Sequence, residues 1–529
     1  MRGNPPWHAA EPLLARTRAT PDRTAVIDAT GEAADAQSWS YRRLHAATDV
    51  VTERLQALLP PEPSSKRIGL AVSPRVPYIV TLYAALRLGW AVVPLDPAMT
   101  GRELDERLRR TDPALLVCER DSESLCLPAD RPVASVDQPD AAAVSSLAGA
   151  VSPSSPAADS ARARRADERP PFEQEGTAAE GRGGREAVVL FTSGTTGQPK
   201  GVRLTLSNLL ASAIGSAFRL GVTPSDRWLG CLPVHHMGGL APVLRSVYYG
   251  TTLVLQGGFD IDRTRELLAD AEITGVSLVP TQLKRLLDVG WEPPSGLRSV
   301  LLGGAPASNS LLTRAVEAGV PVCPTYGLTE AASQVATARP REVRADPDTV
   351  GQPLLWTTVT ILADGDPVGS GQRGEIVVDG PTITPGYLDE ETTDGAFGEW
   401  GLHTGDLGIR DEDGRLEILG RVDDVINTGG ELVAPAEVVS TLEPHPHVAA
   451  AAVVGVDDPE WGERVAALVV PESDDGPLDT AALFDYCRER LSAYKAPKTI
   501  LQAPELPRTA SGTVDRDAVA AEIARRKNE

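Results

Sequence analysis

Lysine is almost missing from this 529-residue chain. There are six: Lys66, Lys200, Lys284, Lys495, Lys498 and Lys527. A lysine that stands inside a motif therefore carries extra weight. No apolar run approaches the eighteen or more residues of a membrane span. The first residues, MRGNPPWHAAEP, lack the apolar core of a signal peptide, so a cytoplasmic location is expected. The five cysteines (Cys118, Cys126, Cys231, Cys323 and Cys487) are dispersed without metal-ligand spacing, which reads as reduced thiols. Positive charge is in deficit: 51 Lys and Arg against 73 Asp and Glu give a net charge of −22. Such a field argues against nucleic acid or an anionic membrane as partner. It suits a surface that stays hydrated at high salt. A halophilic cytoplasm is the expectation, with an ordinary acidic protein as the alternative.

What is present is a globular composition, 42% hydrophobic, in a chain too long for one ordinary domain. Residues 1–120 alternate strand-like and helical patterns. Arg67–Val72, Ala91–Leu95 and Leu115–Val117 read as strands. Tyr41–Leu58, Val76–Leu88 and Arg102–Arg110 read as helices. That alternation predicts βαβ units and a parallel sheet. Residues 137–185 are rich in Ala, Ser, Pro and acids and read as a flexible connection. Alternation resumes at Glu186. From about 350 to 420 the strands shorten and are divided by Gly, Asp and Pro, which predicts a small antiparallel or barrel-like unit. A separate βα pattern follows. The expected division is 1–420 and 421–529.

The densest motif is Leu190–Gly201, LFTSGTTGQPKG, at the end of an apolar run. Its glycines allow tight turns and close approach of backbone N–H groups to an anion. Its hydroxyls and Lys200 add donors and charge. A strand running into such a loop can cradle phosphates, although the Gly-Lys-Ser/Thr ending of the common phosphate loop is absent. The alternative is a flexible turn. Tyr326-Gly327-Leu328-Thr329-Glu330 offers a ring, a hydroxyl and a carboxylate suited to a base, a phosphate and Mg²⁺. Read alone it is also a strand end with Thr329 as a helix cap. His403-Thr404-Gly405-Asp406 places a carboxylate on a turn. Gly420–Ile426, then Thr428-Gly429-Gly430-Glu431, reads alone as a charged hairpin.

Together, in this order, the four motifs resemble the adenylate-forming superfamily of acyl- and aryl-CoA ligases. The likeness runs from about Trp39 to Arg516, the 137–185 connection excepted. It implies an α/β fold: a large N-terminal region of two α/β subdomains plus a small β-barrel, followed by a mobile α+β C-terminal lid. It implies ATP, Mg²⁺ and coenzyme A, and a carboxylate activated first as acyl-AMP and then passed to the CoA thiol. By the same resemblance Thr192, Ser193, Gly194, Thr195, Thr196 and Lys200 hold the outer phosphates. Gly303, Gly304, Ala305, Pro306 and Tyr326 frame the adenine. Thr329 meets the α-phosphate and Glu330 binds Mg²⁺. Asp406 and Arg421 hold the ribose, Asp423 is the hinge, and Gly429 and Gly430 line the pantetheine path.

The segment Pro233–Leu240, PVHHMGGL, stands where the family closes its acyl pocket, and His236 occupies the place of the Asp that amino-acid-activating relatives use. With Gly238, LLGGAPAS and YGLTEAASQVAT, the chain is most similar to the o-succinylbenzoate–CoA ligases of menaquinone synthesis. Ser333 and Gln334 are then expected to hydrogen-bond an aromatic acid, and Arg245 or Arg285 to meet a second carboxylate. Helix-surface positions for Ser333 and Gln334 are the plainer alternative. Other aryl- or fatty-acyl-CoA ligases remain alternatives, and a homodimer is left open. One departure stands out. The family lysine near the C-terminal end is here Thr513, in LPRTASGTVDR. Losing such a contact costs roughly 10²–10³ in rate. Three readings compete: Arg516, Arg508, Lys495 or Lys498 supplies the charge, a high intracellular cation concentration partly compensates, or the chain is a nucleotide-binding relative without catalysis.

Overall fold

The structure, a computed structural model, describes residues 12–31, 36–148, 184–192, 199–270, 272–428, 431–459, 461–472, 478–508 and 514–527. Two sheets form its body. The first runs Gly386–Tyr387, Lys200–Thr205, Glu186–Thr192, Ala91–Pro94, Arg67–Ala71, Leu115–Cys118, Val133–Ser135, Ser145–Ser146. From Glu186–Thr192 to Ser145–Ser146 the neighbours are parallel. Lys200–Thr205 turns back antiparallel to Glu186–Thr192, so the Gly/Ser/Thr loop joins two hydrogen-bonded strands. Glu186 fastens the far end of that pair by bridging Arg67 at 2.7 Å and Arg203 at 3.0 Å.

The second sheet is parallel through Thr24–Asp28, Thr252–Leu255, Arg227–Gly230, Gly275–Leu278, Ser299–Leu302 and Val322–Tyr326. Helices Tyr41–Leu58, Val76–Leu88 and Met237–Tyr249 fill the space between the sheets. Their Leu55, Leu82 and Leu244 share one core with Val92 and Val188 of the first sheet and Leu253 of the second. Val76–Leu88 is apolar on nearly every face because both of its sides meet protein. Gly89, at φ 82°, ends it in the left-handed conformation that a side chain would oppose.

Beyond Tyr326 the same sheet continues with antiparallel strands: Ala336–Thr337, Thr349–Pro353, Leu416–Arg421, Gly401–Arg410, Arg373–Asp379 and Thr358–Ala363. This is the short-stranded unit expected near 350–420. It extends the parallel sheet edge to edge, and no pairing closes it into a barrel among the described residues.

After Arg421 a smaller sheet forms from Glu431–Val433, Ile426–Thr428, Gly462–Pro471 and Val448–Asp458, with Thr499–Gln502 beside Gly462–Pro471. Helices Pro435–Leu442 and Thr480–Arg490 cover one face through Val438, Leu442, Leu483 and Cys487. Helix Arg516–Lys527 covers the other through Val519 and Ile523.

The flexible connection expected over 137–185 needs correction at both ends. Asp137 receives the Arg75 guanidinium at 2.9 and 2.6 Å. Glu123 accepts from the Asp140 backbone N–H, and Ser145–Ser146 adds a strand to the first sheet. At the other end Arg185 donates to the Leu86 carbonyl at 2.9 Å. Charged partners on folded elements hold these residues, which composition does not reveal. Residues 149–183 lie outside the described residues.

Candidate active site

The second sheet carries its parallel strands to a common edge, and the candidate residues gather there, as ligand sites in α/β sheets do. Ser299–Leu302 ends at Gly303 and Gly304. A Cβ on Gly303 would stand 2.7 Å from the Thr325 methyl, and Gly304 sits at φ 82°. Small residues keep this edge open beside Tyr326, the last residue of the neighbouring strand.

Tyr326 then meets the third motif, His403–Asp406. Its hydroxyl donates to Asp406 Oδ2 at 2.6 Å. Asp406 Oδ1 accepts from Arg421 Nη1 at 2.9 Å, across a register pair of adjacent antiparallel strands. Arg421 also donates to the Thr404 carbonyl, while its buried Nε has no partner. The turn that presents Asp406 is itself clamped. Glu375 accepts from the Gly405 N–H at 3.1 Å and pairs with His403 at 2.8 Å. Burial, and then the Asp406 charge, push the Tyr326 phenol well up, so it remains a donor. Three motifs separated by up to 95 positions in sequence thus form one hydrogen-bonded unit.

Glu330 lies on a single 3₁₀ turn, Thr329–Ala331, and is 9% exposed. Leu328, not Thr329, occupies the cap position, with no side-chain cap bond. Tyr387 Oη donates to Glu330 Oε1 at 3.0 Å. Burial raises the carboxyl above its usual range; its own backbone N–H, Tyr387 and the charge of Lys200 pull it down. Lys200 Nζ stands 5.7 Å from the Tyr387 ring centroid. Such a carboxylate would suit Mg²⁺, which binds through one or two carboxylates and otherwise through phosphates and water. Thr192 and Lys200 form the last pair of the loop's two stems. Ser193, Gly194, Thr195 and Thr196 lie outside the described residues, as do Gly429, Gly430 and Thr513.

The histidine and arginine candidates for the acyl side lie on or beside helices that follow two of the parallel strands. His236 stands at the start of helix Met237–Tyr249, exposed with Gly238. His235 lies beside it, ring centroids 4.6 Å apart, and 3.8 Å from Asp96. Of the two arginines, Arg285 is exposed and Arg245 is 8% exposed. Arg245 donates to Ser212 Oγ at 2.9 Å, and Ser212 donates to the Ala332 carbonyl at 2.7 Å. Arg245 pairs with no carboxylate among the described residues. The loop it reaches is strained: Ala332 and Ser333 hold φ of 51° and 113°.

Gln334 is not on a helix surface. It is 1% exposed, and Nε2 donates to Thr337 Oγ1 at 2.7 Å. Thr325 Oγ1 donates to the Ala336 carbonyl, which leaves Thr337 to donate to Thr325. That chain fixes the amide orientation and leaves the Gln334 carbonyl oxygen buried without a partner. Ser333 is half-buried. Tyr387 was missed by sequence reasoning. Its signal, a tyrosine after glycine in PGY, is too common to stand out.

Asp423 is exposed in the turn between Leu416–Arg421 and Ile426–Thr428. Among the cations weighed against the missing lysine, Lys495 is tied to Glu437 at 2.6 Å and Lys498 to the Ala493 carbonyl at 2.7 Å. Arg516 pairs with Asp424. Burial and then the charge of Arg421 lower its pKa.

The AMP-binding enzyme family matches residues 13–388, and the AMP-binding enzyme C-terminal domain matches residues 437–513. The chain is 42% identical over 331 residues to a curated 2-succinylbenzoate–CoA ligase of Bacillus licheniformis, covering 62% of this chain and 69% of that protein. It resembles the o-succinylbenzoate CoA synthetase (MenE) of Bacillus subtilis in complex with the acyl-adenylate intermediate OSB-AMP, at TM-score 0.80 and 31% identity, over 96% of this chain and 98% of that one. The same synthetase with ATP and magnesium ion gives TM-score 0.78 at 30% identity, over 97% and 99%.

Proposed function

The chain belongs to the AMP-binding enzyme family, and from that premise we propose that it is an AMP-forming acid–CoA ligase converting 2-succinylbenzoate to 2-succinylbenzoyl-CoA. The relatives that it resembles carry that activity in their names, and the same chemistry suits the site. In the first half-reaction a carboxylate oxygen of the acid attacks the α-phosphorus of ATP and pyrophosphate leaves. In the second the CoA thiolate attacks the acyl carbon and AMP leaves. A carboxylate is a poor electrophile and AMP a far better leaving group than oxide, so the work is alignment and charge neutralisation.

The residues take these roles. Lys200 and Thr192, with the loop between them, hold the outer phosphates. Thr329 meets the α-phosphate. Tyr326 and the Gly303–Pro306 edge frame the adenine, and Asp406 with Arg421 holds the ribose hydroxyls. Glu330 would hold Mg²⁺, which supplies charge neutralisation at the phosphates. His236 and Gly238 border the acyl group. Asp423 is the hinge of a lid comprising 421–529, whose Gly429 and Gly430 line the path of the thiol. Arg516 brings the lid's positive charge toward the ribose pair. The acid excess fits a salt-rich cytoplasm. Raising KCl from low to molar concentration should then raise the thermal midpoint as self-repulsion is screened; a fall would remove that part of the reading.

The observation that carries the substrate is Arg245. A buried guanidinium without a carboxylate partner is costly, and 2-succinylbenzoate brings a second carboxylate beside the one that reacts. Truncating one partner of a buried charge pair costs about 2–5 kcal/mol. Arg245→Leu should therefore lower kcat/KM for 2-succinylbenzoate about 100-fold and leave benzoate within about threefold. Equal losses for both acids would move Arg245 out of the acyl site.

A further inference from the structure

Tyr387 lies outside every motif above, yet it touches two of them. It belongs to the two-residue strand Gly386–Tyr387, paired antiparallel to Lys200–Thr205 with Tyr387 opposite Val202. Lys200 and Val202 are two apart and share a face of their strand. The pairing thus brings the tyrosine ring beside the lysine, 5.7 Å from Nζ, within the range of a cation–π contact. The hydroxyl reaches the other way, to Glu330 Oε1 at 3.0 Å. The ring itself is 7% exposed.

The backbone around Tyr387 is fastened at each step. Its N–H donates to Thr393 Oγ1 at 2.9 Å, and the next N–H, of Leu388, donates to the Gly201 carbonyl at 2.8 Å. Three residues earlier, the Thr384 N–H donates to the Glu330 carbonyl at 2.7 Å, while the Thr384 hydroxyl donates to the Arg203 carbonyl. Segment Thr384–Leu388 is therefore a strap between the strand that carries Lys200 and the turn that carries Glu330. A Phe at 387 would fill the same space. The hydroxyl adds only the bond to Glu330.

We propose that Tyr387 is a positioning residue that sets Glu330 and Lys200 relative to one another for a magnesium-bound nucleotide: its hydroxyl holds the carboxylate and its ring holds the ammonium. The inference rests on reading the site as a Mg²⁺–ATP site, and does not depend on which acid is activated. The two contacts are separable. Tyr387→Phe keeps the ring and loses the bond; Tyr387→Leu loses both.

The test is calorimetric titration of ATP into the full chain, once with EDTA and once with saturating Mg²⁺. The ratio of the two Kd values is the tightening due to the metal. Tyr387→Phe should leave metal-free ATP binding within twofold and reduce the Mg²⁺ tightening about tenfold, as losing a hydrogen bond to a charged group does. Tyr387→Leu should weaken metal-free binding as well. Glu330→Gln should lose the same Mg²⁺ tightening, and adding Tyr387→Phe to it should take away nothing more. In steady state Tyr387→Phe should raise KM for Mg–ATP about tenfold with kcat within threefold. Full Mg²⁺ tightening in Tyr387→Phe, or a further loss in the double variant, would overturn the inference. A wild-type chain that binds ATP equally with EDTA and with Mg²⁺ would overturn the site reading and this inference together.

Discussion

His235 is held as a neutral base. Burial, and then the adjacent His236, lower its pKa to about 4, against the opposing pull of Asp96. In the unfolded chain the same ring takes up a proton near its ordinary value of about 6.5. Between those values the unfolded state binds more protons, so stability falls as pH drops from about 6.5 to about 4, by up to about 1.4 kcal/mol per pH unit. Urea unfolding at stepped pH should show this slope, and His235→Asn should flatten it. An unchanged slope in the variant would place the titration elsewhere. Legibility at this scale followed chemical distinctiveness. Tyr326, Asp406 and Arg421 stood out in sequence because a ring, a turn carboxylate and a guanidinium recur in motifs, and they share one hydrogen-bonded unit. Gln334 is buried, so the helix-surface alternative does not hold for it. Its orientation is set by a hydroxyl chain through Thr337 and Thr325, and no local pattern encodes that chain.

The segment from Gly327 to Gln334 shows how an element binds the site together. It folds back so tightly that the Val335 N–H donates to the Tyr326 carbonyl, and a Cβ on Gly327 would stand 1.8 Å from the Ser333 oxygen. Gly327→Ala should cost about 3 kcal/mol or more and abolish adenylate formation, because Tyr326 and Glu330 hang on this turn. Gly319 has φ 76° with nothing within 4 Å of its Cβ position. Gly319→Ala should cost only about 1–2 kcal/mol and leave activity intact. Thermal melts with single-turnover assays compare the two; equal effects would mean the turn relaxes freely. Elements built on a clear apolar run were legible: helix Val76–Leu88 and strand Ala91–Pro94 formed where the apolar residues put them. The strand Gly386–Tyr387 was not, since two residues carry no period. Nor was helix Arg516–Lys527, whose buried contact rests on Val519 and Ile523.

For the whole molecule, the βα alternation foretold the parallel sheets, and the change of pattern near 421 foretold a separate C-terminal sheet. Whether antiparallel strands close on themselves or extend a neighbouring sheet depends on long-range pairing, so local spacing predicted an antiparallel or barrel-like unit without choosing between the two. On the proposed reading, these parts together serve an acid activated through AMP. The rate depends on Thr513, a neutral residue where the resembling family carries a lysine. The most direct measurement supplies ATP, Mg²⁺ and CoA with 2-succinylbenzoate, benzoate, coumarate or octanoate in turn, following kcat/KM by pyrophosphate release and identifying CoA products by mass spectrometry. The expected products are 2-succinylbenzoyl-CoA and AMP, with 2-succinylbenzoate favoured over the other acids. A preference for octanoate, or no adenylate from any acid, would contradict the proposed reading.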